Sequence, residues 1–312
     1  MRLALPEHMQ PALDGLPSDI EVVWYADGSD CPRAVVGAEV LWLNMWRTAE
    51  IEEALRAGDQ LRWVSYHGVG VDSFPLDLFR ERGLQLTNGR GLQAAPIAEY
   101  VVMAVLAAAK GLPALLQAQA RAEWLTRPPD AKDLAGSSAL VVGYGHIGQA
   151  VASRLRAFDV AVTGIRRHGS AGDPDVIGPD AWRARLVDFD WIVLSAPLTN
   201  QTRHLIGQTE LAAMRPGAWI FNVARGSIID HAALEAALRG QQIGGAYLDL
   251  TDPEPLPAES PLWHMPNVII TPHSSSTSPG GRPRTAELFL DNLARYRDGR
   301  PLRNLVDLVA GY

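Results

Sequence analysis

The sequence predicts an α/β protein of two domains, each a doubly wound parallel sheet with helices on both faces. Short apolar runs bounded by turn residues alternate with helical patterns, which is typical of βαβ units. These units form two series, and a long helical pattern that begins near Pro96 separates them. The chain has 312 residues. A single core usually stops growing at roughly 250–300 residues, so this length also favours two domains.

The first series supplies the strands of a small parallel sheet. Its candidate strands are residues 21–25, 39–43, 61–65 and 84–87, and residues 49–57 have a helical pattern. The long helix that follows accepts Pro96 in its first turn, where the missing N–H does no harm. We predict that this helix connects the two domains.

The second series is longer and predicts six parallel strands. They are residues 139–142, 160–165, 191–194, 219–222, 245–249 and 268–271. Six strands with helices between them match a doubly wound nucleotide-binding sheet. A last helical pattern at 285–296 precedes a tail that can return to the first domain.

Composition and charge exclude several classes of protein. With 47% hydrophobic and 20% charged residues, the chain has the composition of an ordinary globular protein. A formal net charge of -7 argues against nucleic acid as a partner. Cys31 is the single cysteine, so no intrachain disulfide can form. Together with the lack of an export signal at the start, this favours the cytoplasm. The longest apolar stretch, residues 100–109, is too short for a membrane span, and no metal site is predicted.

The strongest motif is the glycine pattern GxGxxG at residues 143–148. An apolar strand precedes it and a helical pattern follows, which is the context of a dinucleotide-binding turn. The glycines let the backbone approach a pyrophosphate, which then sits at the helix N-terminus. Tyr144, Gly145, His146 and Ile147 are therefore candidate cofactor-binding residues. The alternative is a glycine-rich turn that binds no nucleotide.

The end of the next strand indicates which dinucleotide is preferred. An NAD-type site places a carboxylate there to bind the ribose hydroxyls. Residues 165–168 instead read Ile-Arg-Arg-His, without a carboxylate. Arg166 and Arg167 could clamp a 2′-phosphate through charge-assisted hydrogen bonds. We predict a preference for NADP(H), with NAD(H) as a possible substitute. In the alternative interpretation both arginines are solvated turn residues.

Three charged residues follow late strands and form a candidate catalytic set. Arg225, Glu254 and His273 would lie outside the carboxyl ends of their strands, where open α/β sheets bind ligands. Reduction of a 2-oxo acid needs a hydride donor, a proton donor and a cation for the carboxylate. His273 can give the proton, Glu254 can orient the imidazole and favour its protonated form, and Arg225 can bind and polarise the substrate. Singly, each could be a solvated loop residue; their common placement favours the catalytic interpretation.

The chain resembles the D-isomer-specific 2-hydroxyacid dehydrogenase family, which includes the glyoxylate/hydroxypyruvate reductases. The resemblance covers nearly the whole chain and rests on order and spacing. Glu254 lies 29 residues after Arg225, and His273 lies 19 after Glu254. The matching segments are residues 68–72, 98–100, 143–148, 196–199 with Thr202, 222–226, 249–256 and 271–273.

The resemblance implies further site residues and a domain layout. It implies a flavodoxin-like substrate domain of residues 1–93 and 283–312, a Rossmann-like NAD(P)-binding domain of residues 94–282, and an active-site cleft between them. It also implies a homodimer through the cofactor domain. The implied cofactor contacts are Ala196, Pro197 and Thr202 on the adenosine side, and Val223, Ala224, Asp249, His273 and Ser275 or Ser276 around the nicotinamide. The implied substrate contacts are Gly68, Val69, Gly70 and Arg225, with backbone N–H groups of Val69 and Gly70 on the carboxylate.

Two departures from the family pattern concern substrate choice. Residues 274–278, which follow the histidine, are Ser-Ser-Ser-Thr-Ser instead of a short apolar start, and Gly280 to Arg284 continue this unusual loop. Residues 88–91 read Asn-Gly-Arg-Gly where the family has Asn-x-Pro-Gly. We take Asn44, Trp46, Tyr66 and His67 as candidate specificity residues, and ordinary packing at a loop rim is the alternative for them.

The predicted activity is reversible NAD(P)H-dependent reduction of a small 2-oxo acid, of the glyoxylate or hydroxypyruvate kind, to the D-2-hydroxy acid. Related formate dehydrogenases have Gln where Glu254 stands, because hydride transfer from formate needs no proton. Glu254 therefore favours acid/base chemistry. Two alternatives stay open: a phosphite-type dehydrogenase of the same family, and a catalytically weak dinucleotide-sensing protein that resembles the family's corepressors.

Overall fold

The structure is a computed structural model that describes residues 1–127, 131–167 and 175–312. These residues fold into two compact units. One comprises Met1–Leu92 and Ser278–Tyr312, and the other comprises Gln93–Thr277. The predicted domain bounds differ from these units at two places: residues 278–282 group with the first unit, and Gln93 groups with the second.

Parallel strands and helices alternate along the chain. The strands are β1 (Arg2–Pro6), β2 (Glu21–Tyr25), β3 (Val40–Leu43), β4 (Trp63–Tyr66), β5 (Gln85–Thr87), β6 (Ser138–Val142), β7 (Ala161–Ile165), β8 (Val176–Ile177), β9 (Trp191–Leu194), β10 (Trp219–Asn222), β11 (Gly245–Leu248) and β12 (Val268–Ile270). The helices are α1 (Cys31–Ala34), α2 (Thr48–Ala57), α3 (Leu76–Glu81), α4 (Ala94–Ala109), α5 (Leu112–Ala120), α6 (His146–Arg156), α7 (Gln208–Ala213), α8 (His231–Arg239) and α9 (Gly281–Arg297). The 3₁₀ turns are Glu7–Ala12, Arg183–Asp188, Gly226–Ile228 and Pro261–His264.

The first unit contains a parallel sheet with the strand order β2-β1-β3-β4-β5, all of it within described residues. This is the flavodoxin-like order of doubly wound sheets. β1 was not among the predicted strands, yet it lies inside the sheet, paired with β2 and β3. Its apolar part is only Leu3–Leu5, between a charged residue and a proline, so the strand shows only through its pairing partners.

The C-terminal helix α9 packs on one face of this sheet. The Phe289 ring lies 4.5 Å from the ring of Trp42 and 5.4 Å from that of Trp63, measured between centroids. All three side chains are almost fully buried. Buried aromatic side chains contribute much of a core's apolar area, so the end of the chain completes the core of the first unit.

The second unit contains a parallel sheet with the order β12-β11-β10-β9-β6-β7-β8 among the described residues. This is the dinucleotide-binding order extended by one strand, and the order reverses between β6 and β9. β8 was not predicted because its two residues, which pair with the end of β7, form too short a run. The two sheets confirm the predicted fold class.

Helix α4 begins two residues before Pro96, as expected for a proline in the first turn, and buries most of one face. Within the described residues, no single helix is long and apolar enough to cross a membrane. Taken together, α4 and α5 have the required length and composition, but the pair is bent by 73°.

Candidate active site

The glycine turn connects β6 to α6 and lies where the strand order reverses. Gly143 has a φ of +99°, and a Cβ on it would lie 2.4 Å from the backbone nitrogen of Ala196. A Cβ on Gly148 would lie 2.3 Å from the carbonyl oxygen of Gly143. Only glycine fits these two positions, because the neighbouring atoms are backbone.

The middle glycine of the turn faces open space. Apart from its own neighbours in the chain, no described residue has a heavy atom within 4 Å of a Cβ built on Gly145. Gly145 and His146 are exposed at the start of α6, and Ile147 is half-buried. The surrounding residues that the structure describes give no steric reason for glycine at this position. Close approach of a pyrophosphate to the backbone of the turn would give one. These residues therefore fit a bound dinucleotide.

The end of β7 is tied to the glycine turn. The Arg166 Nε donates a hydrogen bond to the carbonyl oxygen of Tyr144 over 2.9 Å, and the Tyr144 N–H donates to the carbonyl of Ile165. The Tyr144 ring is buried against Gly164, so this residue can offer a cofactor only its backbone. Arg167 is exposed and makes its own contacts. Residues 168–174, including His168 of the predicted segment, lie outside the described part of the chain.

The loop after β9 carries the residues expected on the adenosine side. The Thr202 hydroxyl donates to the carbonyl of Pro197 over 2.7 Å and accepts from the Thr199 N–H over 2.7 Å. Ala196 is half-buried and Pro197 is exposed. Thr202 thus shapes this loop with its hydroxyl.

Parallel pairing brings together the three strand ends that carry the candidate catalytic residues. Asn222, at the end of β10, is in register with Leu248 of β11, which is in register with Ile270 of β12. The three loops therefore leave the same edge of the sheet side by side.

His273 and Glu254 form a direct pair. The His273 Nδ1 lies 2.7 Å from the Glu254 Oε1, and both side chains are close to half exposed. This pairing assigns Nδ1 to the carboxylate and leaves Nε2 as the nitrogen that can face a substrate. His273 has a φ of +51°, in the left-handed region that few residues other than glycine adopt.

Arg225 is held by the turn around Asn222. The buried Asn222 donates from Nδ2 to the carbonyl of Arg225 over 2.9 Å and accepts from the Ala224 N–H over 3.0 Å. Val223 and Ala224 are buried beside it, and the half-buried Arg225 donates from Nη1 to the Ala224 carbonyl. Gly226 follows, and its Cα lies close to the backbone of Thr251.

Asp249 lies at the end of β11 and is almost fully buried. Its carboxylate accepts hydrogen bonds from Thr271, Ser274 and Ser275. The sequence did not identify Thr271 as part of the site, because nothing local relates it to a residue 22 positions earlier. The structure brings Asp249 together with the loop that carries His273.

The predicted carboxylate-binding turn lies in the first unit, after β4. The Asn88 Nδ2 donates to the Val69 carbonyl over 2.8 Å, and the Gly89 N–H donates to the Gly68 carbonyl over 2.8 Å. A Cβ on Gly89 would lie 2.1 Å from the His67 carbonyl oxygen, so glycine is required there. Asn88 therefore supports this turn, which includes Gly70.

The candidate specificity residues of the first unit differ in exposure. Trp46 is 65% exposed. The Tyr66 ring lies against Phe74 and His67, with centroids 4.8 and 5.2 Å apart. Burial lowers the pKa of His67, and nearby His8 lowers it further. The backbone N–H of Asn44 donates to the Tyr25 hydroxyl.

A family model described as "D-isomer specific 2-hydroxyacid dehydrogenase, NAD binding domain" matches residues 102–275. The chain belongs to the D-isomer-specific 2-hydroxyacid dehydrogenase family. The resemblance read from its motifs is thereby confirmed, and the second unit is a pyridine-nucleotide-binding domain.

Individual relatives support the same assignment. A glyoxylate reductase of Thermococcus gammatolerans is 30% identical over 97% of this chain and 94% of its own length. A family protein of Aeromonas salmonicida has a solved structure with 34% identity and a TM-score of 0.86, over 98% of both chains. An NADPH-dependent glyoxylate/hydroxypyruvate reductase of Sinorhizobium meliloti, solved with NADP and sulfate, has 26% identity and a TM-score of 0.85 over 100% of this chain and 99% of its own. The chain spans only 49% and 56% of two archaeal D-3-phosphoglycerate dehydrogenases to which it is also similar.

Proposed function

We propose that this family member reduces a small 2-oxo acid, of the glyoxylate or hydroxypyruvate kind, to the D-2-hydroxy acid and prefers NADP(H) as cofactor. The observation that carries the proposal is the 2.7 Å pair of His273 and Glu254. Their loops follow β12 and β11, and β11 pairs with β10, the strand that precedes Arg225. A proton donor, a carboxylate that orients it and a cation are the groups that this reduction requires.

The chain's own residues divide the work of the reaction. The reduced nicotinamide, when bound, supplies the hydride to the carbonyl carbon. His273 donates the proton from Nε2 to the carbonyl oxygen, while Glu254 stabilises the imidazolium through Nδ1. Arg225 binds the substrate carboxylate and polarises the carbonyl. In the oxidative direction, neutral His273 accepts the proton.

The remaining assignments follow the same proposal. Backbone N–H groups of Val69 and Gly70 bind the carboxylate, with Gly68 giving the turn its shape and with Trp46 and His67 as specificity residues. Gly145, His146 and Ile147 hold the pyrophosphate with the backbone of Tyr144. Ala196, Pro197 and Thr202 contact the adenosine side of the cofactor. Val223 and Ala224 contact the nicotinamide side.

The NADP(H) preference rests on Arg166. Its bond to the Tyr144 carbonyl holds the guanidinium beside the glycine turn, and Arg167 follows it. Hydrogen bonds to a charged group contribute about 1.5–3 kcal/mol. We therefore expect Arg166→Asp to lower kcat/KM for NADPH by about 10–150-fold and to affect NADH much less.

Kinetics with both cofactors test this preference. Arg33→Asp, at an exposed arginine of the first unit, is the control for the change in net charge and should leave the NADPH/NADH ratio unchanged. A wild-type kcat/KM that favours NADH by about tenfold, which corresponds to 1.4 kcal/mol, would refute the preference.

The activity itself is tested by NADPH oxidation with glyoxylate, hydroxypyruvate, pyruvate and phenylpyruvate. We expect turnover with glyoxylate and hydroxypyruvate, and a D-configured product from hydroxypyruvate. His273→Ala should abolish turnover and leave NADPH binding within a few-fold. If no 2-oxo acid is reduced above background while NADPH still binds, the dehydrogenase proposal fails and a dinucleotide-sensing role takes its place.

We also propose a homodimer through the cofactor domain. Five large apolar side chains in α4, α5 and the segment that follows are strongly exposed: Met103, Leu112, Leu115, Leu116 and Trp124. Contiguous exposed apolar surface marks protein contact sites, and we propose that these side chains form such a surface. We expect sedimentation analysis to give a dimer that Leu116→Asp with Trp124→Asp converts to a monomer. Val309→Asp, at a residue 83% exposed in the other unit, is the control. A monomeric wild type would refute the dimer.

A further inference from the structure

One buried carboxylate organises the loop that carries His273. Asp249 is 2% exposed. Its Oδ1 accepts from the Thr271 hydroxyl over 2.6 Å and from the Ser274 N–H over 3.0 Å. Its Oδ2 accepts from the Ser275 N–H over 3.2 Å and also from the Ser275 hydroxyl. Residues on both sides of His273 therefore bind the same side chain.

These bonds use the acceptor capacity of the carboxylate. An ionised carboxylate offers about four lone-pair positions, and the chain supplies four donor groups: the Thr271 and Ser275 hydroxyls and the Ser274 and Ser275 N–H groups. The family resemblance implies that Asp249 accepts a hydrogen bond from the nicotinamide carboxamide. In this chain the Ser275 hydroxyl competes for that acceptor.

The same residue also holds the backbone of His273. The His273 N–H donates to the Asp249 carbonyl over 2.9 Å. A φ of +51° is sterically unfavourable at a residue with a Cβ, so surrounding contacts must maintain it. Bonds to Asp249 from residues 271, 273, 274 and 275 are those contacts. They set the direction in which the imidazole leaves the loop and meets Glu254.

We propose that Asp249 and the Ser275 hydroxyl are positioning residues for His273. They hold the loop in the conformation that keeps Nδ1 on Glu254 and leaves Nε2 for the substrate. The expected effect on turnover rests on the proposed function. The expected effect on the orientation and tautomer of the His273 imidazole does not, because it concerns the geometry of the free protein.

The test compares Ser275→Ala, which deletes the hydroxyl, with Ser275→Thr, which keeps one. Thr277→Ala removes an exposed hydroxyl from the same loop and is the matched control. The first readout is the ring tautomer of His273 by nitrogen-15 NMR in the free protein, with the signal assigned by its loss in His273→Gln. The second readout is kcat together with the Kd for NADPH. Thermal unfolding verifies that each variant is folded.

We expect the wild type and Thr277→Ala to show the Nδ1–H tautomer, because Glu254 accepts from Nδ1. Ser275→Ala should show a mixture of both tautomers and a kcat about tenfold lower, a loss of the size expected when one hydrogen bond is removed. Its Kd for NADPH should stay within twofold, and Ser275→Thr should restore both properties.

Two results would overturn the inference. An unchanged tautomer with a Kd for NADPH raised tenfold would assign the hydroxyl to the cofactor. An unchanged tautomer with unchanged kinetics would show that the loop does not need Ser275. If the wild type reduces no 2-oxo acid, the proposed function fails, but the tautomer measurement still decides whether Ser275 positions His273.

Discussion

At Gly226 the segment that carries Arg225 lies close to Thr251 and Asp252, which precede Glu254 in the next segment. A Cβ there would lie 2.0 Å from the Thr251 carbonyl oxygen and 2.6 Å from the Asp252 nitrogen. Real Cβ atoms essentially never approach another atom closer than 3.0 Å. Gly226→Ala must therefore separate the two backbones by about 1 Å, the difference between 2.0 and 3.0 Å. Both contacting atoms are backbone, so no side chain can rotate to make room.

This displacement should be expressed mainly in catalysis. Misplacement of catalytic groups by about 1 Å costs about 100-fold in rate, which corresponds to about 2.7 kcal/mol. Overpacking of this kind also lowers the free energy of unfolding by about 1–3 kcal/mol. The glycine turn between β6 and α6 is distant in sequence from Gly226, which follows β10. We therefore expect the Kd for NADPH to change by no more than a few-fold.

Steady-state reduction of glyoxylate, fluorescence titration with NADPH and thermal unfolding measure the three quantities. Gly178→Ala is the control, because among the described residues outside its own neighbours in the chain none has a heavy atom within 4 Å of a Cβ at that glycine. If Gly226→Ala had the kcat and the melting temperature of the wild type, the close approach to Thr251 would not fix the active-site segments.

Three further predictions concern single residues. Gly145→Ala should leave thermal unfolding unchanged, because the added Cβ has no described residue within 4 Å beyond its own neighbours in the chain. It should weaken NADPH binding at least about tenfold by blocking backbone approach to the pyrophosphate; unchanged binding in calorimetric titration would contradict this. Burial lowers the pKa of His67 below its ordinary 6.5. The unfolded chain therefore holds the proton more tightly, and the stability present above pH 6.5 is lost as the pH falls through the lowered value. His67→Gln should reduce this acid destabilisation in thermal melts, and an equal loss in both proteins would disprove the link. Burial raises the pKa of the Cys31 thiol to about 12, so an aromatic disulfide reagent should label the native protein far more slowly than the urea-unfolded chain; equal rates would argue against a buried thiol.

Features governed by local geometry could be predicted from the sequence. Side chains return to the same face every 3.6 residues in a helix and every 2 residues in a strand. The alternation of apolar runs with helical patterns therefore located ten of the strands that the structure describes. The glycine pattern was partly local, since the positive φ of Gly143 and the close approach of Gly148 to the Gly143 carbonyl belong to the turn itself. The contact of Gly143 with the backbone of Ala196 is tertiary. The spacing of Arg225, Glu254 and His273 placed them at strand ends, because the carboxyl ends of parallel strands meet at one edge.

Features that depend on distant partners were decided only by the tertiary structure. β1 is a strand because β2 and β3 supply its hydrogen bonds. The five residues of β1 do not by themselves reveal that they lie inside the sheet. The carboxylate of Asp249 selects donors 22 to 26 residues away, so its part in orienting His273 follows from strand register and burial. Sequence patterns determine which groups are present and which edge of the sheet they occupy. The contacts among them are set by packing, because a hydrogen bond depends on tenths of an ångström that only the folded chain defines.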